Sequence, residues 1–192
     1  MQDFPLYFEL GFQHILDWQG YDHILFVSAL CALYTFKNWT RVLWLVTAFT
    51  LGHSITLALS VLGQVKLPAA WIEFLIPVTI IATALFNIFN KNMSLQAARL
   101  AYGLALVFGL IHGLGFSNYL KSLLGSDTNI VGELLAFNLG LELGQVLIVT
   151  AVLSISWLAL QVFRVLRREW SLVLSSMILG MALMMALSRL PF

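Results

Sequence analysis

Long runs of apolar residues, separated by short polar or charged breaks, make up most of the chain. A membrane-spanning helix needs about 20 mainly apolar residues, and six runs approach or exceed that length. They occupy residues 21–36, 40–63, 68–89, 96–121, 131–163 and 169–190. The pattern therefore predicts an all-α fold, a polytopic transmembrane bundle of about six spanning helices.

An apolar and aromatic segment at residues 4–18 precedes these runs. It is only about half as long as a membrane span, which is typical of an interfacial or re-entrant helix. We expect one integral-membrane domain over residues 1–192. In it, residues 1–20 form this N-terminal segment and residues 21–192 form the six-helix bundle.

Composition supports a membrane protein. The chain is 60% hydrophobic and 10% charged, with a mean hydropathy of +0.92, whereas roughly a quarter of the residues of a soluble domain are charged. A net charge of +1 gives no basic surface for nucleic acid. Cys31 is the single cysteine, which excludes an internal disulfide and a metal site built from several thiolates.

Basic residues concentrate in alternate connections. The first, third and fifth connections carry seven, and the remaining connections with the C-terminal end carry three. The seven in the first, third and fifth connections are Lys37, Arg41, Lys91, Arg99, Arg164, Arg167 and Arg168. The other three are Lys66, Lys121 and Arg189. Since basic loops favour the cytoplasmic side, we expect both termini outside the cytoplasm.

Histidines supply the candidate chemistry. The chain has four, and three of them, His23, His53 and His112, lie within or beside apolar runs, where a polar side chain indicates function. Counted at ~1.5 Å per residue from the ends of the predicted helices, these three and Glu142 fall in the outer half of the bundle. We therefore expect a site just beneath the outer surface.

Carboxylates accompany two of the histidines. Asp17 follows His14 by three positions, which places both on one helical face, and Asp22 directly precedes His23. Each carboxylate could be a metal ligand or could orient an imidazole that is one. For Asp22 there is a simpler alternative, the capping of a helix start.

Further polar residues lie inside the apolar runs. Thr50 and Ser54 flank His53 and could either satisfy it by hydrogen bonds or line a polar cavity. On the fifth predicted helix Asn138, Glu142 and Gln145 recur at spacings of four and three, so they share one face. That face either lines a cavity or makes interhelical hydrogen bonds.

Imidazole and carboxylate ligands suit a borderline divalent transition metal such as nickel, cobalt or zinc. The candidate metal ligands are His14, Asp17, Asp22, His23, His53, His112 and Glu142. The candidate cavity-lining residues are Thr50, Ser54, Asn138 and Gln145. Because a ligand must be deprotonated, we expect metal uptake to weaken as the pH falls through the histidine range near ~6.5.

Four linked motifs resemble the HupE/UreJ family of small polytopic membrane proteins. Residues 11–16 (Gly-Phe-Gln-His-Ile-Leu) lead into 20–26 (Gly-Tyr-Asp-His-Ile-Leu-Phe). They are followed by 49–57 (Phe-Thr-Leu-Gly-His-Ser-Ile-Thr-Leu), 109–116 (Gly-Leu-Ile-His-Gly-Leu-Gly-Phe) and 137–145 (Phe-Asn-Leu-Gly-Leu-Glu-Leu-Gly-Gln). The resemblance implies a bacterial inner-membrane permease for nickel or cobalt rather than an enzyme.

Two other functions stay open on the sequence. One is an intramembrane zinc hydrolase acting near the outer surface, because three histidines and a bound water form a catalytic zinc site. The apparent lack of a polar track in the cytoplasmic half favours it over a permease. The other is a metal-binding structural subunit that associates with a membrane partner or with further copies of itself.

Overall fold

The computed structural model describes residues 4–65, 67–90, 95–124 and 130–191. Apart from short turns, these residues form seven α-helices. They are α1 (Phe4–Ile15), α2 (Asp22–Cys31), α3 (Trp39–Val61), α4 (Ala69–Phe89), α5 (Leu95–Leu124), α6 (Ile130–Trp157) and α7 (Arg167–Ser188). The predicted all-α polytopic bundle is confirmed.

Five of these helices, α3 to α7, are long and apolar enough to cross a membrane. The first predicted span, residues 21–36, is instead the ten-residue helix α2, which is too short to cross alone. Tertiary contacts explain its early end. The Asn87 side chain donates to the Ala29 carbonyl at 2.7 Å, and Arg167 donates to the Leu33 carbonyl at 2.5 Å. Carbonyls at a helix end need such partners, and here other helices supply them.

Glycines bring α3 and α5 into backbone contact. A Cβ atom on Gly109 of α5 would overlap the Phe49 carbonyl of α3, and one on Gly52 of α3 would overlap the Leu106 carbonyl of α5. Small residues allow this approach, on which helix association in lipid depends. Gly113 likewise meets the His53 carbonyl, so the contacts advance from Phe49 to His53 on α3 as they advance from Gly109 to Gly113 on α5. The two helices therefore form a parallel pair.

The same arrangement recurs between α1 and α6. A Cβ on Gly11 would overlap the Phe137 carbonyl, and one on Gly140 would overlap the Phe8 carbonyl. The sequences repeat as well, since Ala-Phe-x-Leu-Gly occurs at residues 48–52 of α3 and 136–140 of α6. The N-terminal helix is therefore packed lengthwise against α6.

The remaining helices define the two ends of the bundle. Asp22, at the start of α2, pairs with Arg189, which directly follows α7; we call this the site end. At the opposite or basic end, Arg168 of α7 donates to the carbonyls of Asn87, Ile88 and Asn90. Of the lysines used above to predict orientation, Lys66 and Lys91 lie outside the described residues, as does the side chain of Lys121.

The glycine contacts give a prediction with a matched control on one helix. We expect Gly109→Ala to destabilise the protein by about 3 kcal/mol or more, because the new methyl group meets backbone that cannot move aside. At Gly103, also on α5, a Cβ would meet nothing within 4 Å, so Gly103→Ala should be neutral or stabilising by up to about 1 kcal/mol. Thermal unfolding in detergent measures both, and equal effects would contradict the packing described.

Candidate metal centre

Four helices each bring one histidine to a common point. His14 lies near the end of α1, His23 in the first turn of α2, His53 in α3 and His112 in α5. The ring centroids of His14 and His23 are 4.6 Å apart, those of His23 and His112 5.3 Å, and those of His14 and His53 6.1 Å. We call these four residues the histidine cluster.

Five nitrogens of the cluster are buried without a hydrogen-bond partner among the described residues, namely Nε2 of every ring and Nδ1 of His53. An unpaired buried polar group costs about 1–3 kcal/mol, so several together call for an explanation. One nitrogen each of His14, His23 and His53 lies within 4.8 Å of the other two. Two nitrogens bound to one ion lie at most about 4.2 Å apart, so small ring rotations would let all three bind the same ion.

Hydrogen bonds orient two of the rings. Nδ1 of His112 lies 2.9 Å from the Phe108 carbonyl, and Nδ1 of His23 lies 3.0 Å from Oδ1 of Asp22. Both partners are acceptors, so in each neutral ring Nδ1 carries the proton. The lone pair is then on Nε2, the nitrogen without a partner. Metal-binding histidines have this arrangement, in which one ring nitrogen donates a hydrogen bond and the other binds the metal.

Asp22 joins the cluster to a basic residue at the other end of the chain. Its Oδ2 pairs with Nη1 of Arg189 at 3.2 Å, while Oδ1 accepts from the backbone N–H of His23 at 2.9 Å. Burial favours the neutral acid, but the hydrogen bond from His23, together with nearby positive charge, keeps the pKa of Asp22 below its ordinary value. Asp22 is thus a carboxylate that holds both His23 and Arg189.

A cavity of about 380 Å³ lies against the histidine cluster at the site end. It is lined by His14, Asp17, Gly20, Asp22, His23, Glu73, Ile76, His112, Gly115, Phe116 and Arg189. His53 is fully buried and is not among the lining residues. The cavity therefore gives access to three of the four histidines.

The cavity has a negative balance of charge. Its charged lining residues are the carboxylates Asp17, Asp22 and Glu73 and the guanidinium of Arg189, which together have a formal charge of −2. Asp17 and Glu73 are exposed. Asp17 also accepts the N–H of Gln19 at 2.9 Å. Sequence reasoning did not include Glu73 and Arg189 among the site residues, because each lies at a helix end where charged residues are ordinary.

Phenylalanines enclose the rest of the cluster. The ring of Phe116 lies 4.0 Å from that of His14, Phe49 lies 5.0 Å from His112, and Phe137 is stacked on His53 at 6.2 Å, all measured between centroids. Phe49 and Phe137 are fully buried. They form an apolar wall on this side of the cluster, with no side-chain hydrogen-bond donor or acceptor of their own.

The polar face of α6 lies against α3. Glu142 accepts from Thr47 at 2.6 Å, and the side-chain oxygen of Gln145 accepts from Thr50 at 2.8 Å. Ser54 donates to the Thr50 carbonyl at 2.6 Å. None of these residues, nor Asn138, lines the cavity at the site end. The structure therefore brings together six of the seven candidate ligands and places Glu142 apart from them.

Comparison with known proteins agrees with the motifs. The family model described as HupE / UreJ protein matches residues 1–189. No curated protein and no solved structure matches the chain. Since the family model covers nearly the whole sequence and all four histidines, the protein belongs to the HupE/UreJ family.

Proposed function

We propose that this protein binds a divalent nickel or cobalt ion at His14, His23 and His53 and carries it across the membrane. The observation that supports the proposal is the meeting of these three rings: one nitrogen of each lies within 4.8 Å of one nitrogen of the other two, and each ring has a buried nitrogen without a hydrogen-bond partner among the described residues. A metal ion would supply the partner that these nitrogens lack. The family is associated with nickel and cobalt transport.

The other candidate residues take different roles in this proposal. Asp22 orients His23 rather than binding the ion, since both of its oxygens have partners. Asp17 and Glu73 attract the hydrated cation into the cavity. His112 lies beside His23 and can take a coordination position of the ion when it enters or leaves. We assign Glu142 no ligand role, because it does not line the cavity and is not among the residues whose ligand atoms lie together.

The positive-inside rule assigns the ends of the bundle. Arg41, Arg164, Arg167 and Arg168 lie near the basic end, which we place at the cytoplasmic face of a bacterial inner membrane. The site end and both termini then face outward. The ion would enter the negative cavity from outside and pass to the histidines directly below it.

A zinc hydrolase is the second candidate, and the cavity favours it. Its volume of about 380 Å³ exceeds what an ion with its water shell requires and lies within the range of small-ligand sites. Three histidines would leave a coordination position for water, with Glu73 or Asp17 as the base. Two results together would favour the hydrolase over the permease: zinc that stays bound to the protein during prolonged dialysis, and vesicles containing the protein that take up no nickel.

His53→Ala tests the ligand assignment. We expect nickel affinity to fall at least about 100-fold while the metal-free protein remains folded, because removing two unpaired buried nitrogens offsets part of the packing lost with the buried ring. Gln145→Ala is the matched control, since Gln145 is also a fully buried polar residue but lies outside the cluster. Isothermal titration with nickel measures both, and unchanged affinity in His53→Ala would exclude this site.

The pH dependence of binding is a second test. Burial, followed by the charge of His23, lowers the pKa of His14 well below its ordinary value. Only the neutral ring binds metal, so a lowered pKa keeps His14 competent as the pH falls through ~6.5. In place of the loss near ~6.5 expected from the sequence, we expect nickel affinity at pH 6 to remain within about threefold of that at pH 7.5, with loss only in more acid solution. A tenfold or greater loss by pH 6.5 would contradict this.

A further inference from the structure

We propose that α3 and α5 move as one body and open a second passage, from the histidine cluster to the basic end, past Tyr34, Thr83 and Asn87. The inference rests on the proposed transport function. The cavity at the site end reaches the cluster from one side only, and a permease must also release its ion on the other.

A small cavity marks this second passage. Its volume is about 20 Å³, enough for roughly one water molecule. It is lined by Leu30, Tyr34, Leu45, Thr83, Phe86, Asn87, Ala101, Leu104 and Ala105. Three of these residues carry polar groups in the half of the bundle toward the basic end. In the sequence, Asn87 lies near a helix end, where a polar residue is ordinary. In the structure it is buried beside this cavity, with 4% of its surface exposed.

The two walls of the small cavity belong to different parts of the bundle. One wall comes from α3 and α5 and consists of leucines and alanines. Because these side chains make no hydrogen bonds, this wall can move away from the other without breaking any. The other comes from α2 and α4. Asn87 of α4 donates to the Ala29 carbonyl of α2, and Arg168 of α7 binds the Asn87 carbonyl at 3.1 Å. The second wall is thus tied to α7.

Backbone contacts make the α3/α5 pair rigid. Gly52, Gly109 and Gly113 each face the backbone of the partner helix with no room for a methyl group. Separating α3 from α5 would lose this close packing, whereas moving both together would preserve it. The α1/α6 pair is held in the same way at Gly11 and Gly140.

The α3/α6 interface has the unused polar groups that a second arrangement could satisfy. Thr47 and Thr50 donate to Glu142 and Gln145. Nε2 of Gln145 and Oδ1 of Asn138 are buried without a hydrogen-bond partner among the described residues. A shift of α3 along α6 can therefore exchange hydrogen bonds rather than merely break them.

The ligands are divided between the bodies that would move. His53 and His112 belong to the α3/α5 pair, His14 to the α1/α6 pair, and His23 to α2, which is tied to α4. An ion held by His14, His23 and His53 joins all three units. Moving α3/α5 changes the distances among these ligands, so the bound ion favours one arrangement over the other. Secondary transporters expose a fixed site alternately by such movements of packed helices.

Accessibility of a cysteine in the small cavity tests the passage. In a Cys31→Ser background, Ala105→Cys places a thiol on the α5 wall, and Ala182→Cys of α7 is the control, because both alanines are fully buried. Vesicles containing each variant are treated with a membrane-impermeant maleimide from the basic end. Lys37→Cys, exposed near that end, verifies which side the reagent reaches.

We expect Ala105→Cys to react at least about tenfold faster than Ala182→Cys and nickel to change its rate, since the ion shifts the population of the open arrangement. Once labelled, the protein should still bind nickel but should not take it up. If Ala105→Cys disturbs folding, Thr83→Cys on the opposite wall replaces it.

Equal, slow labelling of the cavity and control cysteines in vesicles that take up nickel would overturn the passage and leave the transport function standing. Vesicles of the wild-type protein that bind nickel but do not accumulate it would overturn the transport function, and the passage with it. Labelling that leaves uptake intact would show that the ion takes another route.

Discussion

The close approach of helix backbones at glycines is the contact on which the rest of the structure depends. Helices in lipid gain little from the hydrophobic effect, because the surrounding chains are as apolar as their own side chains. Backbone contact at Gly52 and Gly109 joins α3 to α5, and Gly11 joins α1 to α6. Three of the four histidines, His53, His112 and His14, follow these glycines by one or three positions, so the packing that holds the helices also sets where their imidazoles meet.

In the proposed transport function, the charge around the cluster gives the ion imidazole ligands at the centre and carboxylates farther away. Asp22 is occupied by His23 and Arg189, which leaves the imidazole nitrogens as the free groups at the centre. Asp17 and Glu73 stand farther out in the cavity. Carboxylates at that position raise the local concentration of cations without adding charged ligands that would hold the ion too firmly to release it.

Sequence patterns predicted the helical bundle and the importance of the four histidines, because hydropathy and the rarity of polar residues in apolar runs are local properties. They did not predict that α2 ends at Cys31, where Asn87 of α4 binds the Ala29 carbonyl and Arg167 of α7 binds the carbonyl of Leu33, just beyond the helix. The same limit applies to Arg189, which is 167 positions from its partner Asp22. Such pairings depend on how the helices are arranged in space, and the periodicity of apolar residues along the chain does not determine that arrangement.

Dividing the ligands among separately packed helices has a cost and a use. The cost is that imidazole nitrogens without hydrogen-bond partners destabilise the metal-free bundle. In a site built on one rigid helix pair, neighbouring side chains could have formed hydrogen bonds with those nitrogens. A site on one pair, however, would bind its ion equally well in every arrangement of the bundle. Because His14 and His53 lie on different pairs, the ion affinity of the proposed site would depend on how the pairs are oriented. The same geometry that leaves the nitrogens unsatisfied therefore allows ion binding and helix movement to be coupled.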